Sequence, residues 1–470
     1  MKQWLAAALA YIPRWIEHQM RLTELPGCAL AVAHQGRLVL DTAFGHADLS
    51  RGIALTPRHR FRVASHSKTF TAAGVMKLRE EGLLKLDDSV GSFVAGLHPR
   101  VAEATVGQLL SHSAGLVRDG ADSGQWSDRR PFLNEAQVRA DLAGGPTLEP
   151  NTRFKYSNHG YALLGLVIES VTGEAYTDWV AREIVEASGL TETLPDAPLH
   201  DDAPNTPLAR GHSGKLPLGR RVTVPVENVT DALAPATGFV STAADLARFF
   251  ASLAPGAKKS VLSVASRREM VRRLWRDPHA SVERWYGLGT ISGSLAPGVT
   301  DWDWFGHSGG FQGTVTRTAV VAERGLTLSV LTNATDGLAH VWLDGALHIL
   351  RGFEQHGAPS RRAAAWTGRW WSLWGAMDLL PMGDKVLVAN PALPNPLLDA
   401  SELEVDARSR KGASHGRIAL AGGYAAHGEP VRLLRDARGR ATELWLAGNQ
   451  LLPEAQVAKE LEARYGRRRR

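Results

Sequence analysis

The chain is short of cysteine, with one residue, Cys28, in 470. A single thiol excludes an internal disulfide framework and a cysteine-based metal site. It lies in the apolar run CALAVA, where a small buried hydrophobe is the expected role. The 17 histidines show no ligand spacing and no H-E-x-x-H, so neither a metal nor another cofactor is expected. No stretch is long and apolar enough to span a bilayer, and no internal repeat points to a solenoid or propeller. Excess charge of one sign is also scarce. The formal net charge is +6, and four positive charges are Arg467–Arg470. A terminal run of like charges is usually a solvated tail, so nucleic acid is not an expected partner.

The N-terminal MKQWLAAALAYIPRWIEHQM has an apolar stretch but one early lysine and no small-residue cleavage site before Pro13. The spacing of Leu5, Leu9, Ile12 and Ile16 predicts an amphipathic first helix instead. A cytoplasmic location is therefore expected over export.

What is present is ordinary globular composition, 44% apolar and 22% charged, in a chain long enough for two or three structural units. CALAVAHQGRLVLDTAFGHAD reads as two strands joined at Gln35-Gly36. From Lys68 to Leu86 an apolar face of Phe70, Val75, Met76, Leu78, Leu83 and Leu84 predicts a helix. The next stretch, to about 235, is helical and loop-rich. Its clearest element is YALLGLVIESVTG, stopping at Gly173; the Pro- and Gly-dense segment 196–237 reads as surface loop. GFVSTAADLARFFASL starts a helix capped by Ser241 or Thr242. Strands follow in YGLGTIS, TVTRTAVVAE and LTLSVLTNA, with a turn at Glu323-Arg324-Gly325, and AHVWLDGALHIL closes as a helix. This order predicts an α/β architecture whose antiparallel sheet draws on both ends of the region and is flanked by helices. EQHGAPSRRAAA, 354–365, looks like a linker, which is placed at 356–365. Residues 366–470 then form a small all-β domain, in which the tryptophans at 366, 370, 371 and 374 are expected to build core.

GHSGG, at Gly306–Gly310, fits the G-x-S-x-G of a nucleophile elbow. Such an elbow must follow a strand and run into a helix, and FQGTVTRTAVVAERGLTLSVL alternates as two strands instead. Asp336 and His340, the acid and base that follow, are four residues apart on one helical face. A Ser308 triad is therefore not expected. Ser65-x-x-Lys68 fits a nucleophile better: the spacing puts both side chains on one face of a helix start, where free N–H groups favour developing negative charge. A lysine beside it becomes a base if desolvation lowers its pKa. FKYSNHGYALLG adds Tyr156-x-Asn158 before a helix, and GHSGG adds His307-x-Gly309 at the start of a strand. Ser67, Ser111 and Ser113 are expected to pack or cap.

The set S-x-x-K, Y-x-N and H-x-G, in this order, resembles the serine β-lactamase and penicillin-binding superfamily. With TVGQLLSHSAGL and GFVSTAADLARF, the likeness extends to its class C β-lactamase-like hydrolases, D-aminopeptidases and esterases. It covers about the first 350 residues, and the remainder resembles a lipocalin-like appendage. The resemblance implies a hydrolase domain over 1–355 with a helical lobe at about 69–235. It further implies Ser65 as nucleophile, Lys68 and Tyr156 sharing general acid–base work, and Asn158, His307 and Gly309 binding substrate. Backbone N–H groups of Ser65 and Gly310 would form the oxyanion hole. A glycine at 309 is expected to let substrate lie against the strand. His307 stands where β-lactamases usually carry lysine, and a histidine is largely neutral above about 6.5. Peptides, amides or esters are therefore expected over β-lactams, with activity falling as His307 protonates. The expected partner is a small molecule or short peptide, and a homo-oligomer is compatible with the fold. The alternative reading is an acyl-trapping sensor or a non-catalytic binding protein.

Overall fold

The computed structural model describes residues 1–196, 207–280, 282–296, 298–406, 412–422 and 425–466. The basic tail Arg467–Arg470 and part of the 196–237 segment lie outside the described residues. Packing divides the chain into two units: Glu24–Leu343, and Met1–Thr23 together with the residues from Asp344 onward.

In the first unit the strand Gly27–His34 is buried along nearly its whole length. Its continuous apolar run therefore suits the middle of a sheet with both faces covered. It pairs antiparallel with Arg37–Asp48 on one side and, from far along the chain, Leu326–Thr332 on the other. The connecting Gln35 and Gly36 both have positive φ, 53° and 73°, the twist a two-residue hairpin requires. The sheet has nine strands in the order Ile53–Ala54, Arg37–Asp48, Gly27–His34, Leu326–Thr332, Thr314–Val321, Trp304–Phe311, Ile291–Gly293, Arg284–Tyr286, Trp275–Arg276. Cys28 is fully buried in it.

The helix Ala243–Ser252, capped by Thr242, whose side chain accepts the Asp245 N–H, packs on the central strands. Its Phe249 ring stacks on Phe70 of the helix Ser67–Glu80 at 3.9 Å, and Phe239 stacks on the same ring at 4.4 Å. Ser67–Glu80 is shorter than its apolar spacing predicts. Gly82 takes a left-handed φ of 76° that ends it, and Leu83 is exposed while Leu84 is buried. The helix Asn158–Thr172 begins three residues earlier than YALLGLVIESVTG suggests, because Ser157 caps it by accepting the Gly160 N–H. YGLGTIS splits into two strands at Gly289, φ 68°.

The surface-loop reading of 196–237 fails at its end. Ala234–Gly238 is a buried helical turn packed against the helices Ser67–Glu80 and Asn158–Thr172. A side chain at Gly165 would meet Pro235 Cγ at 2.4 Å, so the proline-rich segment serves as core.

The second unit is built on an up-and-down sheet of eight antiparallel strands from Gly368–Ser372 to Asn449–Leu451, each beside its chain neighbour. Trp371 and Leu452 exchange backbone hydrogen bonds of 2.8 and 2.9 Å and join its two ends into a nearly closed barrel. Trp366, Trp370, Leu379, Leu403 and Leu433 fill the interior. Of the four tryptophans, Trp374 at a hairpin tip is instead 91% exposed. The helix Gln3–Thr23 belongs to this unit, where Tyr11 donates to Asp378 at 2.8 Å and Arg369 grips both oxygens of the same carboxylate. The unit boundary thus differs from the one at 355 read from sequence. The closing helix runs on to His356 with Leu347, Leu350 and Phe353 buried, and a second short helix, Arg361–Ala364, capped by Ser360, occupies the expected linker. Among the described residues no helix is long and apolar enough to cross a membrane.

Candidate active site

Ser65 sits in a 3-10 turn, Ala64–His66, that leads directly into the helix Ser67–Glu80. Ala64 before it has a φ of +46°, a left-handed conformation that costs a residue with a Cβ about 1–3 kcal/mol and recurs where a functional group must be held out of the regular path. The turn is held by Ser67, whose hydroxyl donates to Ala64 O at 2.5 Å and accepts the Phe239 N–H at 3.0 Å. The Ser65 side chain emerges into a cavity of about 420 Å³.

Two groups reach its oxygen. Tyr156 OH donates to Ser65 Oγ at 2.8 Å, and Lys68 Nζ lies 3.2 Å from it. Lys68 is fully buried. Its other partners are Asn158 Oδ1 at 2.7 Å and the Ala236 carbonyl at 2.8 Å, both acceptors. Burial pushes the lysine well below its usual range, opposed by the charge of Asp119 and reinforced by Arg118. Burial raises the Tyr156 phenol above its ordinary value, so the two shifts favour the protonated phenol and the neutral amine.

The strand Trp304–Phe311 forms another wall. It pairs with Thr314–Val321 from Phe305 to Phe311, but with Ile291–Gly293 only through Trp304–Gly306. Beyond Gly306 this edge is open toward the cleft. The Ser308 N–H turns to the His307 ring, donating to Nδ1 at 3.0 Å. Backbone direction alternates along a strand, so the Gly310 N–H faces the same open edge. Gly310 lines the cavity and has open space where a side chain would be.

Gly309, expected to make room for substrate, makes room for the protein itself. A Cβ there would stand 2.1 Å from the Val63 carbonyl and 2.6 Å from Thr316 Oγ1. The glycine lets the strand press on the backbone two residues before Ser65. His307 is buried, with Nε2 sharing a hydrogen bond with Tyr286 OH at 3.1 Å. Desolvation, with His66 adding to it, lowers its pKa well below the usual histidine range. That direction favours the neutral imidazole and works against the titration near neutral pH that the residue type alone suggests.

Ser308 also borders the cavity, but its hydroxyl has no hydrogen-bond partner among the described residues. Asp336, the acid of the elbow reading, is ion-paired with Arg221. Ser111 donates to Gly107 O and shares a hydrogen bond with Ser113. Several contributors escaped the motif reading: Asp119, the Ala236 carbonyl, Tyr286, and the aromatic wall of Trp126, Phe154, Trp275 and Trp285. Asp119 follows HSAGL closely, and that framework segment was the available signal. Ala236 acts through its backbone and has no side-chain signature. Among the described residues no group of three or more His, Cys, Asp or Glu is placed to hold a metal ion.

The chain matches the Beta-lactamase family over residues 12–349. A curated relative, Protein flp of Staphylococcus aureus strain N315, is 28% identical over 186 residues, 39% of this chain. The chain thus spans 37% of the length of that relative. Among solved structures, the octameric penicillin-binding protein homologue of Pyrococcus abyssi has a TM-score of 0.64 at 23% identity, covering 94% of this chain and 99% of its own. A D-stereospecific amidohydrolase from a Streptomyces species has a TM-score of 0.60 at 26% identity, over 72% of this chain and 98% of its own.

Proposed function

As the chain belongs to the Beta-lactamase family, we propose that it is a serine hydrolase that opens an amide or ester carbonyl through an acyl-enzyme on Ser65. One observation carries this reading: a single exposed-side hydroxyl, Ser65 Oγ, has a buried amine 3.2 Å away and a phenol 2.8 Å away. A nucleophile and a base within hydrogen-bond reach, with the base itself oriented by further groups, is the arrangement that activates a serine.

Neutral Lys68 takes the Ser65 proton as Oγ adds to the substrate carbonyl carbon. The carbonyl electron pair moves onto oxygen, where the N–H groups of Ser65 and Gly310 receive it; preorganised donors of this kind are worth about 10²–10³ in rate each. On collapse the bond to the leaving nitrogen or oxygen breaks, and that atom takes its proton from the Lys68–Tyr156 pair. Water then repeats the sequence on the acyl ester and releases the acid. His307, neutral and tied to Tyr286, holds the strand segment whose Gly310 N–H faces the carbonyl. The likeness to the Streptomyces D-stereospecific amidohydrolase supports amides of D-residues as the substrates to try first, and the aromatic wall suits an apolar side chain on them.

The test pairs a screen with a mass measurement. D- and L-amino-acid p-nitroanilides and p-nitrophenyl esters are hydrolysed by the wild-type protein and not by Ser65→Ala, whose fold is checked by circular dichroism. A fluorophosphonate forms one O–P bond with loss of fluoride and adds one covalent mass, expected on Ser65. Turnover retained in Ser65→Ala removes the reading.

A further inference from the structure

Lys68 has to present a lone pair, and presenting one requires that its protons be directed elsewhere. A neutral amine has two N–H groups and one lone pair. Asn158 Oδ1 and the Ala236 carbonyl can only accept, so they take both protons and leave the lone pair facing Ser65 Oγ. This works only while the Asn158 amide keeps its oxygen toward the lysine. An amide turned over would offer N–H to Lys68, and the amine would spend its lone pair on that bond.

The other end of the amide is therefore decisive, and there stands Asp119. Asn158 Nδ2 donates to Asp119 Oδ1 at 2.5 Å. A carboxylate accepts and cannot donate, so it admits one orientation of the amide. The carboxylate is itself fixed from two further sides: Trp126 Nε1 donates to Oδ1 at 3.0 Å, and Arg118 Nε lies 2.9 Å from Oδ2. Asp119 touches neither Ser65 nor Lys68 by hydrogen bond.

Resting on the proposed role of Ser65 and Lys68, we propose that Asp119 is a positioning residue of the active site, orienting the lone pair of Lys68 through the Asn158 amide. Its charge acts along the same line. The groups that face Lys68 are Asp119, which raises its basicity, Arg118, which lowers it, the neutral buried His112 and His307, and the rings of Tyr156 and Tyr161 at 4.8 and 5.4 Å. Asp119 is the one anion in this set, so its removal weakens the base.

Two variants with opposite charge effects make the test. Asp119→Asn permits the amide to turn and deletes the negative charge. Acylation of Ser65, followed as the burst with a p-nitrophenyl ester, is expected to slow at least about tenfold, a part of the 10²–10⁴ that general-base catalysis contributes. The acid limb of kcat/KM moves to lower pH, with KM little changed. Arg118→Gln, at a mostly exposed side chain, leaves Asp119 unneutralised and moves the same limb to higher pH. A burst rate and acid limb unchanged in Asp119→Asn overturn the proposal, as does a limb moving the same way in both variants. Should Asp119→Asn fail to fold, Asp119→Glu keeps the charge but displaces the carboxylate from the Asn158 amide: a slowed burst with the acid limb in place supports the proposal, and an unchanged burst overturns it. Ser65→Ala separates the two levels: inactive Ser65→Ala with an unmoved Asp119→Asn limb removes Asp119 alone, whereas active Ser65→Ala removes the Ser65 reading beneath it.

Discussion

Two serines border the same cavity, and their hydroxyls have different partners. Ser65 stands at a helix start with two proton-handling groups on its oxygen, one of them a buried amine. Ser308 stands mid-strand within a five-residue match to a nucleophile elbow, and its hydroxyl bonds to nothing described. The acid of the elbow reading, Asp336, is engaged by Arg221. A local pattern therefore says less than the element that carries it. A serine becomes a nucleophile through the proton acceptor that its backbone context delivers, and a strand interior delivers neighbours at alternating faces instead of a base one turn away.

The widest separation between the two sites comes from replacing each oxygen. Ser65→Ala is expected to lose about 10⁴-fold or more in kcat, because groups that act as a unit fail together. Lys68→Met and Tyr156→Phe come next. The lysine variant should lose about 10²–10⁴-fold as the base disappears; the tyrosine variant loses less, since it removes one donor and leaves the base in place. The pH profile carries the same contrast. In the proposed mechanism Lys68 acts when neutral, and burial lowers its pKa, so kcat/KM is expected to rise with pH through that lowered value and to be flat above it. Desolvation lowers the pKa of His307 and favours its neutral form, so the acid limb is expected to follow Lys68 and not the histidine. An acid limb that vanishes in a His307→Gln variant and persists in Lys68→Met, measured on residual activity, would reverse these assignments.

An intermediate effect is expected at Gly309, which couples the two regions mechanically. Gly309→Ala places a methyl 2.1 Å from Val63 O, so either the strand or the turn before Ser65 must move. Overpacking of this kind costs about 1–3 kcal/mol, read as a lower unfolding midpoint in urea, and acylation slows as Ser65 and the Gly310 N–H separate. Gly310→Ala, with open space around its Cβ, should leave stability unchanged and raise KM alone. Equal stability losses in the two variants would contradict the distinction drawn between these neighbouring glycines.

The parts of the molecule legible in sequence are those written in local periodicity and in short polar motifs. The hairpin at Gln35-Gly36, the Thr242 cap and the strands around Gly325 depend on a few adjacent residues, and they fold as read. The illegible parts depend on distant packing. Ala234–Gly238 has the composition of a loop, yet it is buried because Gly165 on another helix leaves a hollow for Pro235. The Ala236 carbonyl that receives a Lys68 proton is backbone, and no residue type announces it. The same applies to the pKa of His307. Its residue type suggests a switch near neutral pH, and burial beside His66 removes that switch. Asp119 has a weaker signal, its place just after the framework segment HSAGL; its partner, Asn158, is 39 residues away in sequence.

The smallest effect is expected at Ser308, and it tests the comparison most sensitively. Ser308→Ala keeps the backbone N–H that donates to His307 Nδ1 and the carbonyl that meets the same nitrogen. It deletes one hydroxyl that bonds to no described group, on a strand whose pairing with Thr314–Val321 is set by backbone. Nothing in the proposed chemical step uses that oxygen, so kcat should stay within about threefold, and the unfolding free energy within about 0.5 kcal/mol, as for a substitution away from any packed or charged feature. Because the side chain borders the cavity, any change belongs in KM. A loss in kcat comparable to that of Ser65→Ala would mean that the strand serine shares the chemistry after all, and the phosphonate adduct would then be found on Ser308 peptides.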